Sequence, residues 1–437
     1  MYSGEAIVLP SVYRTPFISQ VNSPNKYRTS RIERLLIFVT LVLLPLQSYI
    51  PTIGGFSILF FMFILLIVYQ GIKRPSILSK LAKHKIILFG FAFILIGFFM
   101  ETLHNSMNYY YVVRIGLMFF GALTIALFCR DRKSLQACLY GILCGSCIVS
   151  VVLFLTTYGV LSGAQAEDFK EVNRIRAEAF SNNVLESDLN MMALQVGQGF
   201  LIALAFMITA RSKLQFLIFL IIGAFNLITS FLPISRGSIA IIFISAMIMI
   251  YAYGMLKSRI VIIASVFLFC AFLFIPEVVF VRFVVDTETK DGQYTEGRTR
   301  VISAALEELP NFIMTGVGIK NFYGDWGRMT SFAKQDGSIS GAHNCFIQVA
   351  IFWGLPGLIT LILIVFQTYK CFPKASNLDP LYLSLLGIST STFFETFVVH
   401  TLESKSFSIT LGLIIGSSMW VYRKNKKYFI VPLKDNN

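Results

Sequence analysis

Runs of about twenty apolar residues, separated by short polar turns, recur along almost the whole chain and leave it few folds to choose from. Crossing roughly 30 Å of hydrocarbon takes about 20 such residues as a helix, and a lipid-exposed backbone must satisfy its own hydrogen bonds, so each run reads as a spanning helix. About twelve windows qualify, near 35–50, 54–70, 86–101, 112–129, 135–158, 189–210, 214–233, 238–256, 260–280, 345–369, 380–399 and 406–422. Pro45 and the Pro51-to-Gly55 turn interrupt the first long stretch and divide it in two. With 56% hydrophobic and 14% charged residues, too few polar side chains remain to cover a water-facing surface, which excludes an ordinary soluble enzyme. The expected fold is all-α: a polytopic integral membrane helical bundle of about 12 transmembrane helices with one large, partly helical outer loop.

The chain carries a net charge of +14, which in a soluble protein would suggest a nucleic acid or another polyanion. Its distribution argues otherwise. Starting with the N-terminus inside, alternate turns are basic: Lys73 to Lys85, Arg130 to Lys133, Arg211 to Lys213, Lys257 to Arg259, Lys370 to Lys374, and both tails. That side collects 24 of the 37 Lys and Arg and 5 of the 23 Asp and Glu, leaving 13 and 18 for the rest of the chain. Basic residues accumulate in cytoplasmic turns, so both termini are expected in the cytoplasm and no nucleic-acid partner is expected. The expected organisation is a cytoplasmic tail over 1–34, nine spans over 35–280 including an outer loop at 159–188, a large outer loop over 281–344, three spans over 345–422, and a cytoplasmic tail over 423–437. The first thirty residues lack the apolar core of a signal peptide, so the first apolar segment is expected to stay as an anchor.

Seven Cys lie mostly inside apolar runs, and Cys144-x-x-Cys147 has neither a second pair nor a His cluster beside it, so no metal and no cofactor are expected. Gly141/Gly145 and Gly412/Gly416 are small-residue pairs suited to close helix crossings. Tyr109, Tyr110 and Tyr111 read as an interfacial aromatic belt. The outer loop 159–188 mixes acids and bases (Glu167, Asp168, Lys170, Glu171, Arg174, Arg176 and Glu178) and reads as a solvated helix with i,i+4 pairs. The large loop has helix-like apolar spacing at Val301, Ala305, Leu306 and Leu309, then a Gly-rich turn at Gly316 and Gly318, and is expected to fold back on the bundle.

A few cations stand at the acidic outer boundary. Arg236, in Leu-Pro-Ile-Ser-Arg-Gly-Ser, sits in a turn too short to reach far into water. It reads either as an interfacial snorkelling arginine or as an anion grip, since guanidinium binds phosphate bidentately and is always charged. Arg298 and Arg300, in Gly-Arg-Thr-Arg, offer a second grip, and Arg174 or Arg176 a third. His343, in Gly-Ala-His-Asn before span ten, could accept a proton from a hydroxyl, or could be structural. His104 and His400 also lie at outer span ends, without accompanying arginines. No nucleophile elbow, Walker loop, zincin or Asp-x-Asp pattern occurs. Arginines gathered where an amphiphile's phosphate would lie suit a lipid phosphate or diphosphate, a leaving group that needs stabilised negative charge rather than a proton.

Ser-Arg-Gly opening one span, Gly-Arg early in the large outer loop, Thr-Gly-Val-Gly, and His-Asn before a span containing Gly354-Leu355-Pro356-Gly357 together resemble the O-antigen ligase/polymerase family of bacterial envelope glycosyltransferases. The stretch from Asn173-Arg174-Ile175-Arg176 to Asp188-Leu189-Asn190 is similar to that family's preceding outer segment, so the resemblance covers roughly residues 170–370. It implies a metal-independent, inverting, GT-C-like transferase of the bacterial inner membrane with a periplasmic active site. The donor would be an oligosaccharide on undecaprenyl diphosphate, and the acceptor a glycan or lipid A-core. Arg236 and Arg298, with Arg300, Arg174 and Arg176 as further candidates, would bind the diphosphate, and His343 would orient or deprotonate the acceptor hydroxyl. The chain departs from the family in two respects: Val301 and Ile302 stand where an aromatic residue is common, and Trp353 where an acid often precedes Gly-Leu. A second class of function, a twelve-span transporter or flippase, would place ionisable residues nearer the bilayer midplane, and an inactive membrane scaffold is a third.

Overall fold

The computed structural model describes residues 28–49, 52–53, 56–106, 108–165, 169–181, 189–253, 273–284, 297–333, 339, 341–342, 344–373, 379–398 and 404–422. These form a helical protein whose only regular β-structure is a short antiparallel pairing of Thr52–Ile53 with Phe56–Ser57. In chain order the helices used below are α1 (Arg31–Leu43), α2 (Ile58–Lys73), α3 (Pro75–Ala82), α4 (Lys85–Leu103), α5 (Tyr109–Phe128), α6 (Arg132–Ser162), α7 (Phe169–Ser181), α8 (Leu189–Ile208), α9 (Lys213–Phe231) and α10 (Arg236–Ala252). They continue with α11 (Glu277–Val284), α12 (Gly297–Glu307), α13 (Leu309–Phe312), α14 (Ile319–Phe322), α15 (Asp325–Arg328), α16 (Cys345–Cys371), α17 (Pro380–Glu395) and α18 (Lys405–Gly416).

Among the described residues six helices are long and apolar enough to cross a membrane: α4, α5, α6, α8, α9 and α16. The last part of α2 joins α3 across a 116° bend, and α10 and Lys405–Val421 are shorter apolar helices. The expected break near Pro45 is a 3-10 turn over Leu44–Tyr49, while most of the expected span 260–280 lies outside the described residues. Helix α3 buries Ile77 and Leu81 and leaves Lys80 exposed, the pattern of a helix lying along an interface.

Both small-residue pairs mark tight crossings. A Cβ at Gly141 would stand 2.8 Å from the Phe38 carbonyl of α1, and one at Gly412 2.7 Å from the Ala122 carbonyl of α5. At one end of the bundle, helix termini are tied by charge. Glu33 and Arg130 are fully buried and paired at 3.0 Å, Arg130 also donates to Gln70, and Lys73 reaches Glu33 at 3.2 Å. Burial raises the Glu33 carboxyl, but the Ser30 N–H, Gln70, Arg130 and Arg74 outweigh it and hold its pKa at about 2. Nearby, Asp379 caps α17 while accepting a bidentate grip from Arg132 and the Tyr422 hydroxyl.

At the opposite end the chain between α11 and α16 folds onto the bundle. Val301, Ala304, Phe312, Val317, Phe322 and Phe332 share one core with Phe93 of α4 and Trp353 of α16. A helix forms over Gly297–Glu307 and buries Val301 and Ala305 as expected, but Leu306 and Leu309 face outward and Ala304 joins the core.

Candidate functional site

The turn that carries Arg236 is built under strain. Ile234 is fully buried with φ +53°, a region a β-branched residue enters only when its surroundings force it, at a cost of about 1–3 kcal/mol. The reversal puts Ser235 at the N-cap of α10 and Arg236 at its first helical position, half-buried. Ser235 Oγ accepts from the Ser238 N–H and donates to Asn190 Oδ1 at 2.6 Å, and Ser238 Oγ donates to the Asn190 carbonyl at 2.9 Å. Asn190 stands in the first turn of α8. The positive ends of two helices are thereby stitched side by side, with an arginine at one of them.

A third element brings a second arginine. Helix α7 packs through Val172, Ile175 and Phe180 into the same core as Val278 and Val279 of α11. From this anchored helix Arg176 donates through Nε to the Pro233 carbonyl at 2.8 Å, three residues before Arg236. Arg174 lies on the other face, 68% exposed, paired with Glu171 at 3.5 Å and Glu178 at 3.9 Å, the solvated-helix arrangement read from its spacing. Of the two α7 arginines, then, Arg176 meets the Arg236 turn and Arg174 faces water. One arginine at the N-terminus of α10, a second reaching the same turn from α7, and the adjoining N-terminus of α8 make an arrangement that favours an anion, because peptide dipoles and guanidinium charge act in the same direction.

The other candidates are less fully described. Arg298 and Arg300 belong to the first turn of α12, their side chains being outside the described residues, and His343 lies wholly outside them. Its neighbour Asn344 caps α16 by accepting from the Phe346 and Ile347 N–H groups, and the Cys345 N–H donates to the Thr396 carbonyl, next to the buried Glu395. His104 ends α4 with Nε2 at 2.9 Å from the Thr315 carbonyl; His400 is outside the described residues. Of the three tyrosines, Tyr110 faces outward, whereas Tyr111 turns inward to accept from Gln348 of α16. Cys144 and Cys147 are free thiols on α6.

Two motifs are backbone partners. Pro356 lacks an N–H, and Gly354 takes φ +60°, ψ −157°, open essentially to glycine alone, so α16 breaks there. The freed Ile351 and Phe352 carbonyls accept from the Val317 and Gly318 N–H groups at 2.8 and 3.0 Å, and the Leu355 N–H donates to the Ile313 carbonyl at 2.7 Å. Thr-Gly-Val-Gly and Gly-Leu-Pro-Gly thus meet main chain to main chain. Glu101 of α4 locks the joint: fully buried, it accepts from the Trp353 indole, the Ile319 N–H and the Asn108 N–H. An acid therefore does reach Trp353, from a helix some 250 residues earlier in the chain. No family model matches the chain, and no curated protein matches it.

Proposed function

We propose that the protein is a glycosyltransferase that moves an oligosaccharide from undecaprenyl diphosphate to a hydroxyl of a glycan or lipid A-core acceptor, as an O-antigen ligase or a repeat-unit polymerase. The observation that supports this reading is that Arg176 reaches the turn carrying Arg236 beside the joined N-termini of α8 and α10, where one diphosphate is proposed to bind. In the proposed mechanism Arg236, with Arg298 from the large loop, takes up negative charge as the diphosphate leaves, and His343 orients or deprotonates the attacking hydroxyl, inverting the anomeric centre. The reaction is proposed to be metal-independent, the arginines supplying the positive charge. The proposed setting is twelve spans in the bacterial inner membrane, both termini cytoplasmic and the site periplasmic, consistent with the basic turns.

Purified wild-type protein given undecaprenyl-diphosphate oligosaccharide and acceptor is expected to release undecaprenyl diphosphate and extend the acceptor, and Arg236→Ala to do neither. Equal product from both would refute the role. Gene deletion followed by an envelope-polysaccharide gel separates the two sub-readings: loss of all attached glycan marks a ligase, and a single attached repeat a polymerase. A flippase of lipid-linked sugars is the second reading, favoured by the buried polar seam of Gln198, Thr392 and Thr410 near Glu395. Translocation of labelled lipid-linked sugar in proteoliposomes, without acceptor extension, would select it.

A further inference from the structure

At the end of the bundle where the large loop docks, a cavity of about 760 Å³ opens beside the joint described above, within the range of small-ligand sites. It is lined by elements of α4 and of α13 to α15, among them His104, Asn311, Lys320, Asp325, Trp326 and Arg328. None of these belongs to the Arg176 and Arg236 cradle.

The walls are fixed before any ligand arrives. The Lys320 N–H donates to Ser106 Oγ at 2.7 Å, and Asn321 Nδ2 donates to both the His104 and Val317 carbonyls. Trp326 packs against the fully buried Phe322 and Phe332, with ring centres 6.4 and 6.1 Å away, while remaining half-exposed itself. It is an aromatic plate backed by a rigid cluster. Around it stand carboxamides and two exposed cations against one carboxylate, and among the described residues no ion pair claims Lys320, Asp325 or Arg328.

A flat aromatic surface edged by amide, carboxylate and guanidinium groups suits a molecule with an apolar face and a hydroxylated rim, which is the form of a sugar ring. The excess of one cation favours a ring that carries an acid. We infer that this cavity is a saccharide subsite for an acidic sugar unit, stacked on Trp326 with its carboxylate toward Lys320 and Arg328. The choice of saccharide over other polar ligands rests on the proposed transferase reading; the cavity, the plate and the charge do not.

The test uses the full chain in detergent, titrated with tetragalacturonate and with its carboxyl-reduced, neutral counterpart, bound ligand being followed by saturation-transfer NMR. The acidic tetramer is expected to bind about fivefold tighter than the neutral one, the upper scale of an exposed charge contact. Arg328→Gln, a substitution of an exposed side chain, is expected to collapse that ratio, and Trp326→Leu to weaken both ligands, with unchanged melting temperature of the Arg328 variant as the fold control. Failure of both tetramers to bind, equal binding of the two, or a preference untouched by Arg328→Gln overturns the inference. Arg236→Ala is expected to bind the acidic tetramer as the wild type does. Loss of transfer with retained binding, or the reverse, therefore separates this proposal from the catalytic one.

Discussion

The Trp353 indole donates to Oε1 of Glu101 across 3.1 Å, joining the end of α4 to the break in α16. The same oxygen accepts the Ile319 N–H at 3.0 Å, so one buried carboxylate holds three segments together. Glu101→Ala leaves two buried donors unsatisfied and is expected to lower stability by about 3 kcal/mol, while Trp353→Phe, which keeps the ring volume largely filled, costs about 1–2 kcal/mol. Thermal unfolding in detergent, read by loss of the monodisperse chromatography peak, checks both. An unchanged midpoint for Glu101→Ala would remove the carboxylate from this role.

Gly354 makes a sharper case. A Cβ there would stand 2.6 Å from the Gly316 nitrogen, in a backbone region reserved for glycine. Gly354→Ala is expected to lose at least about 3 kcal/mol and to accumulate poorly in the membrane. Gly159, whose added Cβ meets nothing within 4 Å, is the control: Gly159→Ala is expected to be neutral or slightly stabilising. Comparable accumulation of the two variants would contradict the account of the joint.

For the proposed transfer, charge alone should not suffice at Arg236. Arg236→Lys keeps the charge and loses the planar fork, and is expected to reduce turnover by about 10²–10³ with membrane levels unchanged. Arg298→Lys is expected to behave alike. Arg176→Gln gives up the bond to the Pro233 carbonyl and is expected to raise KM as well as lower kcat, whereas Arg174→Gln, on the solvated face, leaves both near wild type. Steady-state release of undecaprenyl diphosphate measures each.

Acid should loosen the opposite end of the molecule. Because Glu33 titrates at about 2 in the folded chain against 4.5 ordinarily, its contribution is complete above pH 4.5 and fades as pH falls toward 2. The amount at stake is on the order of 3 kcal/mol. Glu33→Gln is expected to be less stable than wild type at pH 7 and to approach it near pH 2; a constant gap between their melting temperatures across that range would disprove the linkage.

What could be read along the chain was whatever depends on near neighbours. The apolar runs, the ion-paired face of α7, the glycine pairs at crossings and the interruption after Pro45 all follow from spacings of a few residues. Glu101 gave no such signal, since the two buried donors that make it a joint, Ile319 and Trp353, lie more than two hundred residues away and an acid at the end of an apolar run looks like a boundary residue. Nor does Pro-Ile-Ser announce a left-handed isoleucine; its two neighbours, Pro233 and Ser235, are bonded by Arg176 and Asn190, which arrive from other helices. Leu306 fits the apolar period as well as Ala304 does, and only the placement of the helix against the bundle, which buries Ala304 and leaves Leu306 outside, separates them.

The break in α16 has a mechanical side. The backbone leaves helical geometry at Gly354, so the helix is two struts meeting at a kink. The inner strut, Pro356 to Cys371, is about 24 Å long by helical rise, short of a bilayer core of about 30 Å. The outer strut is fused to α4 and the docked loop through Glu101 and the carbonyls of Ile351 and Phe352. In a bilayer, a change of thickness is therefore expected to tilt the Pro356–Cys371 strut more than the strut fused to α4 and the docked loop.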